Sequence, residues 1–376
     1  MSYSELDDEQ REIRDLARRF ADEEIAPRAA AWDRAHEFPK DVFAALGELG
    51  LMGTCVPAEH GGAGADFLSY ILVLEELSRA DAGVGVTVAV HTSAGTLPIL
   101  ANGTPEQVDR LVPPLAQGHE LAAFALTESG SGSDAGAMRT RATDDGAITG
   151  TKQWITNGSH AHVFTVFAQD PDAASAFVVR RGADGFRVTR EEEKLGLNSS
   201  STADLAFEAT PSEPLGPRGA GMRIALSTLD GGRIGIAAQA VGIAQAALDV
   251  AAGYAKERHA FGRPIGGFGA IQQKLADMQT EIEAARALVW RAARLKQAGR
   301  PHTVEGAQAK LFASRVARHW TGEAIQVLGG YGYTREFPAE RYYRDAKVTE
   351  IYEGTSEIQR LVIARALLGE AARATD

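Results

Sequence analysis

Cysteine is almost missing from this chain of 376 residues: Cys55 stands alone, which excludes an intrachain disulfide framework and any thiolate-rich zinc or iron–sulfur site. A lone thiol of this kind reads as a small buried side chain. Positive charge is also in short supply. Lys and Arg number 39 against 50 Asp and Glu, a formal net charge of -11, and a nucleic-acid binder needs a clustered cationic face. The histidines lack metal-ligand spacing such as H-E-x-x-H. No apolar run looks long enough to span a bilayer. The N-terminus "MSYSELDDEQREIRDLARRF" is charged and amphipathic, with Ile13, Leu16, Ala17 and Phe20 on one helical face, unlike a signal peptide. A cytoplasmic protein without membrane or nucleic-acid partners is the expectation. Repeats and low-complexity tracts are absent as well.

What is present is apolar bulk, 44% of the residues, enough for a large core and more than one domain. Residues 1–120 read as helices joined by Gly/Pro turns. "TPEQVDRLVPPLAQG" is expected to start at a Thr cap and stop at Pro113-Pro114. Residues 121–230 carry short β-type runs such as "AFVVRR", "GFRVTR" and "ADLAFE", and an Asn157-Gly158 turn. Residues 231–376 return to long, alanine-rich helices, apolar on more than one face, as in a buried bundle with an oligomer contact. Helices, then strands, then helices imply segregated domains and not alternating βα units.

Several motifs have two readings. "GSGSDA", residues 130–135, imitates a dinucleotide fingerprint, but the residues after it read as more strand and not as the helix a βαβ unit requires. It is a Gly/Ser loop, either mobile surface or a cradle in which backbone amides with Ser131 and Ser133 hold a phosphate. Trp154 and Thr156 share a strand face, as core residues or as a platform for a planar ring. Asp230 reads as the N-cap of a helix whose first turn holds Arg233, a cation there needing either Asp230 or an anionic ligand. Arg258, His259, Phe261 and Arg263 suit a helix C-terminus or a pyrophosphate. The glycines of "QVLGG" suit a C-cap or close backbone approach.

"IYEGTSEIQR", residues 351–360, places Glu353 just outside a helix. Ser356 and Gln359 have capping-box spacing, and the helix is expected from Thr355 or Ser356 to about Leu368. Glu353 is then a solvated turn residue, an anion facing a helix N-terminus, or a base aimed into a pocket.

Together with "AFALTESGSGSDAG", "GTKQWITNG", "EEEKLGLNSSSTADLAFE", "LDGGRIGIAAQAVGIAQAAL", "ERHAFGRPI" and "QVLGGYGYTRE", this stretch resembles the acyl-CoA dehydrogenase family in order and along the whole chain. The resemblance implies a mainly α protein: an N-terminal all-α domain, a central β-barrel-like domain and a C-terminal four-helix bundle. It implies FAD, an acyl-CoA substrate, an electron-transferring flavoprotein as acceptor, fatty-acid β-oxidation, and a homotetramer built as a dimer of dimers. Glu353 corresponds to the base that removes the α-proton while the β-hydrogen leaves as hydride, giving a trans-2-enoyl-CoA. Some branches keep the base just before the arginine of "LDGGR", where this chain has Gly232. By the same resemblance Phe124, Ala125, Leu126, Thr127, Gly132 and Ser133 line the flavin, with Ser133 also facing CoA. Trp154, Ile155 and Thr156 lie at the isoalloxazine. Arg258, Phe261, Gln326, Gly329 and Gly330 reach FAD partly across a subunit boundary, and Thr355, Ser356 and Glu357 its adenosine half. Asp230, Arg233 and Gly354 border the substrate, and "VTVAVHTSAGTLPIL" the acyl pocket. Ser129 replaces a usual proline, which is expected to loosen the flavin loop, and Gly269 replaces a usual glutamine. An acyl-CoA oxidase would share most of these residues but carries a further C-terminal domain, which this chain is expected to lack. A non-catalytic flavin- or acyl-CoA-binding protein is the remaining alternative. Burial should raise the Glu353 pKa, and nearby helix amides should oppose the rise.

Overall fold

The computed structural model describes residues 5–171, 173–369 and 371, so the first four residues of the charged N-terminus lie outside it. Helices α1 (Asp8–Phe20), α2 (Ala26–Ala35), α3 (Lys40–Glu48), α4 (Phe67–Ala80), α5 (Ala82–Ala89), α6 (Leu97–Asn102) and α7 (Pro105–Ala116) come first. Asp7 and Gln10 form a capping box on α1. Its Ala17 is fully buried, and Ile13, Leu16 and Phe20 pack on the core from the same side. Helix α7 starts at the Thr104 cap but does not stop at Pro113-Pro114: both prolines lie inside its last turn. Proline's fixed φ is itself helical, so the chain keeps its direction while losing two amide donors, and the helix ends soon after.

The strands are β1 (Ala122–Ala125), β2 (Arg141–Ala142), β3 (Ile148–Thr156), β4 (Val163–Gln169), β5 (Ala174–Arg180), β6 (Phe186–Glu191), β7 (Thr202–Thr210) and β8 (Glu213–Pro214). They form one curled sheet in the order β6-β7-β3-β2-β4-β5-β8, with β1 pairing parallel to β4. A buried cluster including Phe164, Phe177, Leu205 and Phe207 fills its inside.

Helices α8 (Gly221–Glu257), α9 (Gly269–Gln297), α10 (Thr303–Leu328), α11 (Ala339–Val348) and α12 (Ser356–Leu368) complete the chain, with a small hairpin of β9 (His259–Ala260) and β10 (Arg263–Pro264) between the first two. Helix α8 begins at Gly221 behind Ala220, so Asp230 is not its N-cap and Arg233 is not in its first turn. Gly231-Gly232 looks like a break when read locally, yet each glycine costs only about 1 kcal/mol inside a helix. A long buried helix absorbs that. The stretches Ala82–Asn102 and Gly221–Glu257 are also long and apolar enough to cross a membrane, contrary to the reading of the sequence. Most of each is buried in the fold, as core helices of a large bundle are.

Polar contacts lock these parts together. Arg286 of α9 reaches Glu75 of α4 at 2.8 Å and Gln245 of α8 at 2.9 Å. The loop between β6 and β7 bonds in both directions. Leu197 donates its amide to Asp345 at 2.7 Å, Asn198 its side-chain amide to Asp33 at 2.9 Å, and Ser199 its hydroxyl to Asp81.

Candidate active site

Asp230 and Arg233 sit mid-helix on α8, where Arg233 Nη1 bonds Asp230 at 2.7 Å and Thr303 of α10 donates to the other carboxylate oxygen at 2.6 Å. The cation's partner is therefore Asp230, although Arg233 Nε is buried without a partner among the described residues. Between them lies the structural reason for Gly232. A β-carbon there would stand 2.5 Å from Glu353 Oε2 and 2.9 Å from its carboxyl carbon. The two positions compete for one space, so a side chain at 232 would force the Glu353 carboxylate to move.

Glu353 reaches that space from a strained turn. Its φ is +54°, in the left-handed region that costs an L-residue roughly 1–2 kcal/mol, and Gly354 follows at φ +87°. The helix behind them is capped by Thr355, whose hydroxyl accepts the Ile358 amide at 3.3 Å. The capping box proposed for Ser356 and Gln359 does not form, because the cap lies one residue earlier. Gln359 is instead fully buried and donates to the carbonyls of Glu353 (3.3 Å) and Gly354 (2.8 Å). From α10, Lys310 donates to Gly354 O at 2.7 Å and Thr349 O at 2.9 Å. Glu353 Oε2 is enclosed and has no hydrogen-bond partner among the described residues. Burial pushes its pKa up to about 7, with Lys310 and then Arg233 pulling against it. The opposing influence comes from two cations and not from the helix amides expected.

Lys310 and the pair Tyr352–Gln239, joined by a hydrogen bond from the tyrosine hydroxyl, were not visible in the sequence, and Gln359 was seen there only as a capping residue. One signal was available: Lys310 shares a helical face with Ala307, Ala313 and Ser314, a buried stripe where an ammonium needs partners.

A second group gathers on the sheet. Phe124 packs on Phe167 at 4.9 Å, while Ala125, Leu126 and Ile155 point into the interior and present only backbone. The glycine loop leads to a 3₁₀ turn at Ala135–Ala137 and then to strand, so no βαβ unit forms. Ser129 does not loosen it: Glu128 and Ser131 exchange both backbone hydrogen bonds, at 3.0 and 3.1 Å. Ser131 is buried with its hydroxyl on Asp134 O, while Ser129, Gly130, Gly132, Ser133 and Asp134 are exposed around it. Lys152 anchors the loop from β3, donating to Glu128 at 2.8 Å and Leu126 O at 3.0 Å, while Glu128 also accepts the amides of Arg139 and Thr140. Next to it a register shift turns Trp154 outward at φ +59° with 55% exposure. Thr156 lies half-buried on the same side.

The third group surrounds a surface cavity of about 530 Å³ lined by Arg258, Gly329, Gly330 and Tyr331 among others. Arg258 stands 5.9 Å over the Tyr331 ring, and Gln326 is exposed in the last turn of α10. Phe261 projects from the β9–β10 hairpin with 96% exposure. Gly269, where the resemblance expected glutamine, has nothing within 4 Å of its would-be β-carbon. Among the described residues no hydrogen bond, ion pair or ring contact links this group to Trp154. Thr355 caps α12, Ser356 and Glu357 open it, and all three stay with the Glu353 turn.

Exposed aromatic faces, a free arginine edge and open backbone at Gly132, Gly329 and Gly330 fit a long, partly planar, anionic cofactor such as FAD. The matching family models are the acyl-CoA dehydrogenase N-terminal domain over residues 7–119, the middle domain over 123–210 and the C-terminal domain over 219–368. The short-chain specific acyl-CoA dehydrogenase, mitochondrial, of Bos taurus is 50% identical over 375 residues, covering 97% of this chain and 91% of that protein. Butyryl-CoA dehydrogenase from Megasphaera elsdenii superposes with a TM-score of 0.94 at 43% identity, over 96% of this chain and 99% of that one. A chain in the structure of an electron transferring flavoprotein of Acidaminococcus fermentans gives 0.96 at 46% identity, over 98% and 100%. An acyl-CoA dehydrogenase complexed with FAD from Bacillus anthracis gives 0.93 at 35% identity, over 100% of this chain and 69% of that one. Domain order, fold and these likenesses agree: the chain belongs to the acyl-CoA dehydrogenase family and is an FAD-dependent oxidoreductase that dehydrogenates an acyl-CoA.

Proposed function

We propose that Glu353 is the base that takes the α-proton of a short-chain acyl-CoA thioester. The observation carrying this reading is the enclosed, unpartnered Glu353 Oε2 over Gly232, aimed by a strained turn and held near a pKa of 7. A base is most effective when its pKa lies near the working pH. Among the described residues nothing accepts the Glu353 amide proton, which leaves that N–H for the thioester oxygen as it gains enolate charge. Bound FAD supplies the acceptor for the β-hydrogen as hydride, and a trans-2-enoyl-CoA remains. Phe124, Thr127, Gly132, Ser133, Trp154, Thr156, Arg258, Phe261, Gln326, Gly329 and Gly330 would hold it, with Thr355, Ser356 and Glu357 at its adenosine half and the backbone of Ala125, Leu126 and Ile155 behind.

Chain length is set by the groups that close the space beyond the carboxylate. One turn along α8 from Gly232, a β-carbon at Gly235 would already meet Leu74 at 3.2 Å and the Tyr70 hydroxyl at 3.7 Å. Tyr70 also bonds Ala89 O at 3.1 Å, in the segment expected to border the acyl chain. About 5 Å of helix, one turn, therefore separates the base from a wall. That supports a short acyl group, and the short-chain name of the bovine relative points the same way.

The reading includes transfer of the electrons to an electron-transferring flavoprotein, supported by the Acidaminococcus likeness. It also includes a cytoplasmic homotetramer, a dimer of dimers, in which a neighbouring copy would cover exposed Phe261 and Tyr333. Sedimentation and cell fractionation test the last two points. Peroxide formed at the rate of dye-linked turnover would replace the flavoprotein acceptor with oxygen. The decisive experiment is anaerobic flavin reduction by butyryl-CoA in Glu353→Gln. A yellow, ligand-binding protein slowed by roughly 10²–10⁴-fold is expected; near-normal reduction rules out Glu353 as the base.

A further inference from the structure

We propose that Lys310 is a positioning residue for Glu353: its buried ammonium fixes the turn through two backbone carbonyls and keeps a positive charge beside the carboxylate. This rests on the reading of Glu353 as the base. Lys310 is 1% exposed on α10, and the carbonyls it binds, Thr349 O and Gly354 O, bracket Glu353 in the chain. Gly354 O also receives Gln359 from α12, so donors on two helices converge on the residue after the base.

Holding carbonyls does not by itself call for a charge. One turn along α10, the Ser314 hydroxyl serves Thr349 O at 2.8 Å, and a neutral donor avoids the heavy desolvation of an ammonium. The carboxylate explains the charge. Glu353 must be ionised to accept a proton, burial opposes ionisation, and Lys310 is the first group working against that burial. Lys310 is in turn lowered to about 8 by burial, with Glu353 the strongest influence holding it up. Arg233 on α8, the other cation, already shares its charge with Asp230. Lys296 on α9 faces Asp230 as well, and Glu350 and Glu357 face Lys310 from the flanks. Tyr70 on α4 and Tyr352 in the turn also face Glu353, and burial raises both phenols well above their usual range, so they stay neutral. Lys310 thus has the largest pull of any cation on the Glu353 carboxylate, acting from the turn carbonyls that it holds and not through a direct ion pair among the described residues.

Lys310→Met keeps the apolar stem and removes both charge and donor. With butyryl-CoA, its limiting flavin reduction should slow about 10- to 10²-fold, as for a slightly misplaced reacting group. The apparent pKa of that rate should rise by about one unit or more, since an opposite charge has gone. KM and FAD content should hardly change. Lys310→Gln, which restores a donor without charge, should regain rate at high pH but keep the raised pKa. Ser314→Ala should leave the profile unshifted. An unshifted profile in both Lys310 variants, with Glu353→Gln inactive, overturns the inference and leaves the base standing. Normal reduction by Glu353→Gln removes the base and this inference with it. If neither Lys310 variant folds with FAD, the lysine is structural only, and the inference is overturned as well.

Discussion

At the Glu353 turn, α8 and α10 of one chain supply the cations, α10 and α12 the donors to its carbonyls, and α4 the wall. At the far end of α8, roughly 40 Å away along the helix, Arg258 and Phe261 stand in the open beside a shallow cavity. The first corner is complete before any ligand arrives, so its geometry is paid for in folding, through buried polar contacts and a strained residue. The second presents exposed faces with only ring contacts behind them, Arg258 on Tyr331 and Phe261 on Phe268. The sheet loop around Glu128 falls between them: internally satisfied, yet open toward solvent at Gly132 and Ser133. On the proposed reading, proton transfer belongs to the rigid corner and cofactor capture to the exposed ones.

Moving the base is the strongest way to break the comparison. Glu353→Gly should slow flavin reduction by roughly 10²–10⁴-fold. Adding Gly232→Glu should then recover at least about tenfold, because the new side chain enters the space just vacated. Gly232→Glu with Glu353 still present should be inactive, the two side chains colliding. Stopped-flow bleaching by butyryl-CoA measures all three, and full activity in the crowded variant would show that the space is not shared.

The loop comes next. Lys152→Met leaves Glu128 buried without its cation, a loss of about 3–5 kcal/mol in comparable buried pairs. Chemical denaturation should show this destabilisation together with weaker FAD binding. A stable variant with normal FAD affinity would mean that the pair does not organise the loop.

Arg258→Ala tests the open corner with a smaller effect. A charge-assisted contact worth about 1.5–3 kcal/mol would be lost, so FAD affinity should fall about 10- to 10²-fold and assembly should weaken. The pH profile of the reloaded enzyme should match the parent, since the Glu353 corner is separate. Equilibrium dialysis of FAD and sedimentation decide it, and unchanged affinity removes Arg258 from the cofactor site.

The smallest effect is on stability against pH. The Glu353 pKa is raised from 4.5 to about 7, so its contribution to stability is fully present below 4.5 and is lost as pH rises through about 7. Glu353→Gln should therefore gain in melting temperature relative to the parent between about pH 5 and pH 8. A difference independent of pH would mean that the carboxylate is not buried as described.

The fold class was legible because helical periodicity, β-type runs and segregated order are local properties of the chain. The same local signals misplaced the α8 start at Asp230, since two adjacent glycines resemble a break when their neighbours are unknown. They also placed the α12 cap one residue late, because Ser356 and Thr355 are both good capping residues and only the turn geometry chooses. Glu353 stood out through its motif. Lys310, Gln359, Lys152 and Glu128 did not, because their partners lie tens of residues away or on other elements.

By itself the sequence determined the family, the three-part order and the identity of the acidic residue between an aromatic and a glycine. Tertiary structure alone decided what surrounds that residue. It set Glu353 over Gly232, enclosed one oxygen, placed Lys310 on the carbonyls of the turn and packed Leu74 and Tyr70 against Gly235. The physical reason is range: helix periods, caps and turns are written within a few residues, whereas desolvation and charge pairing depend on whichever groups the folded chain brings together.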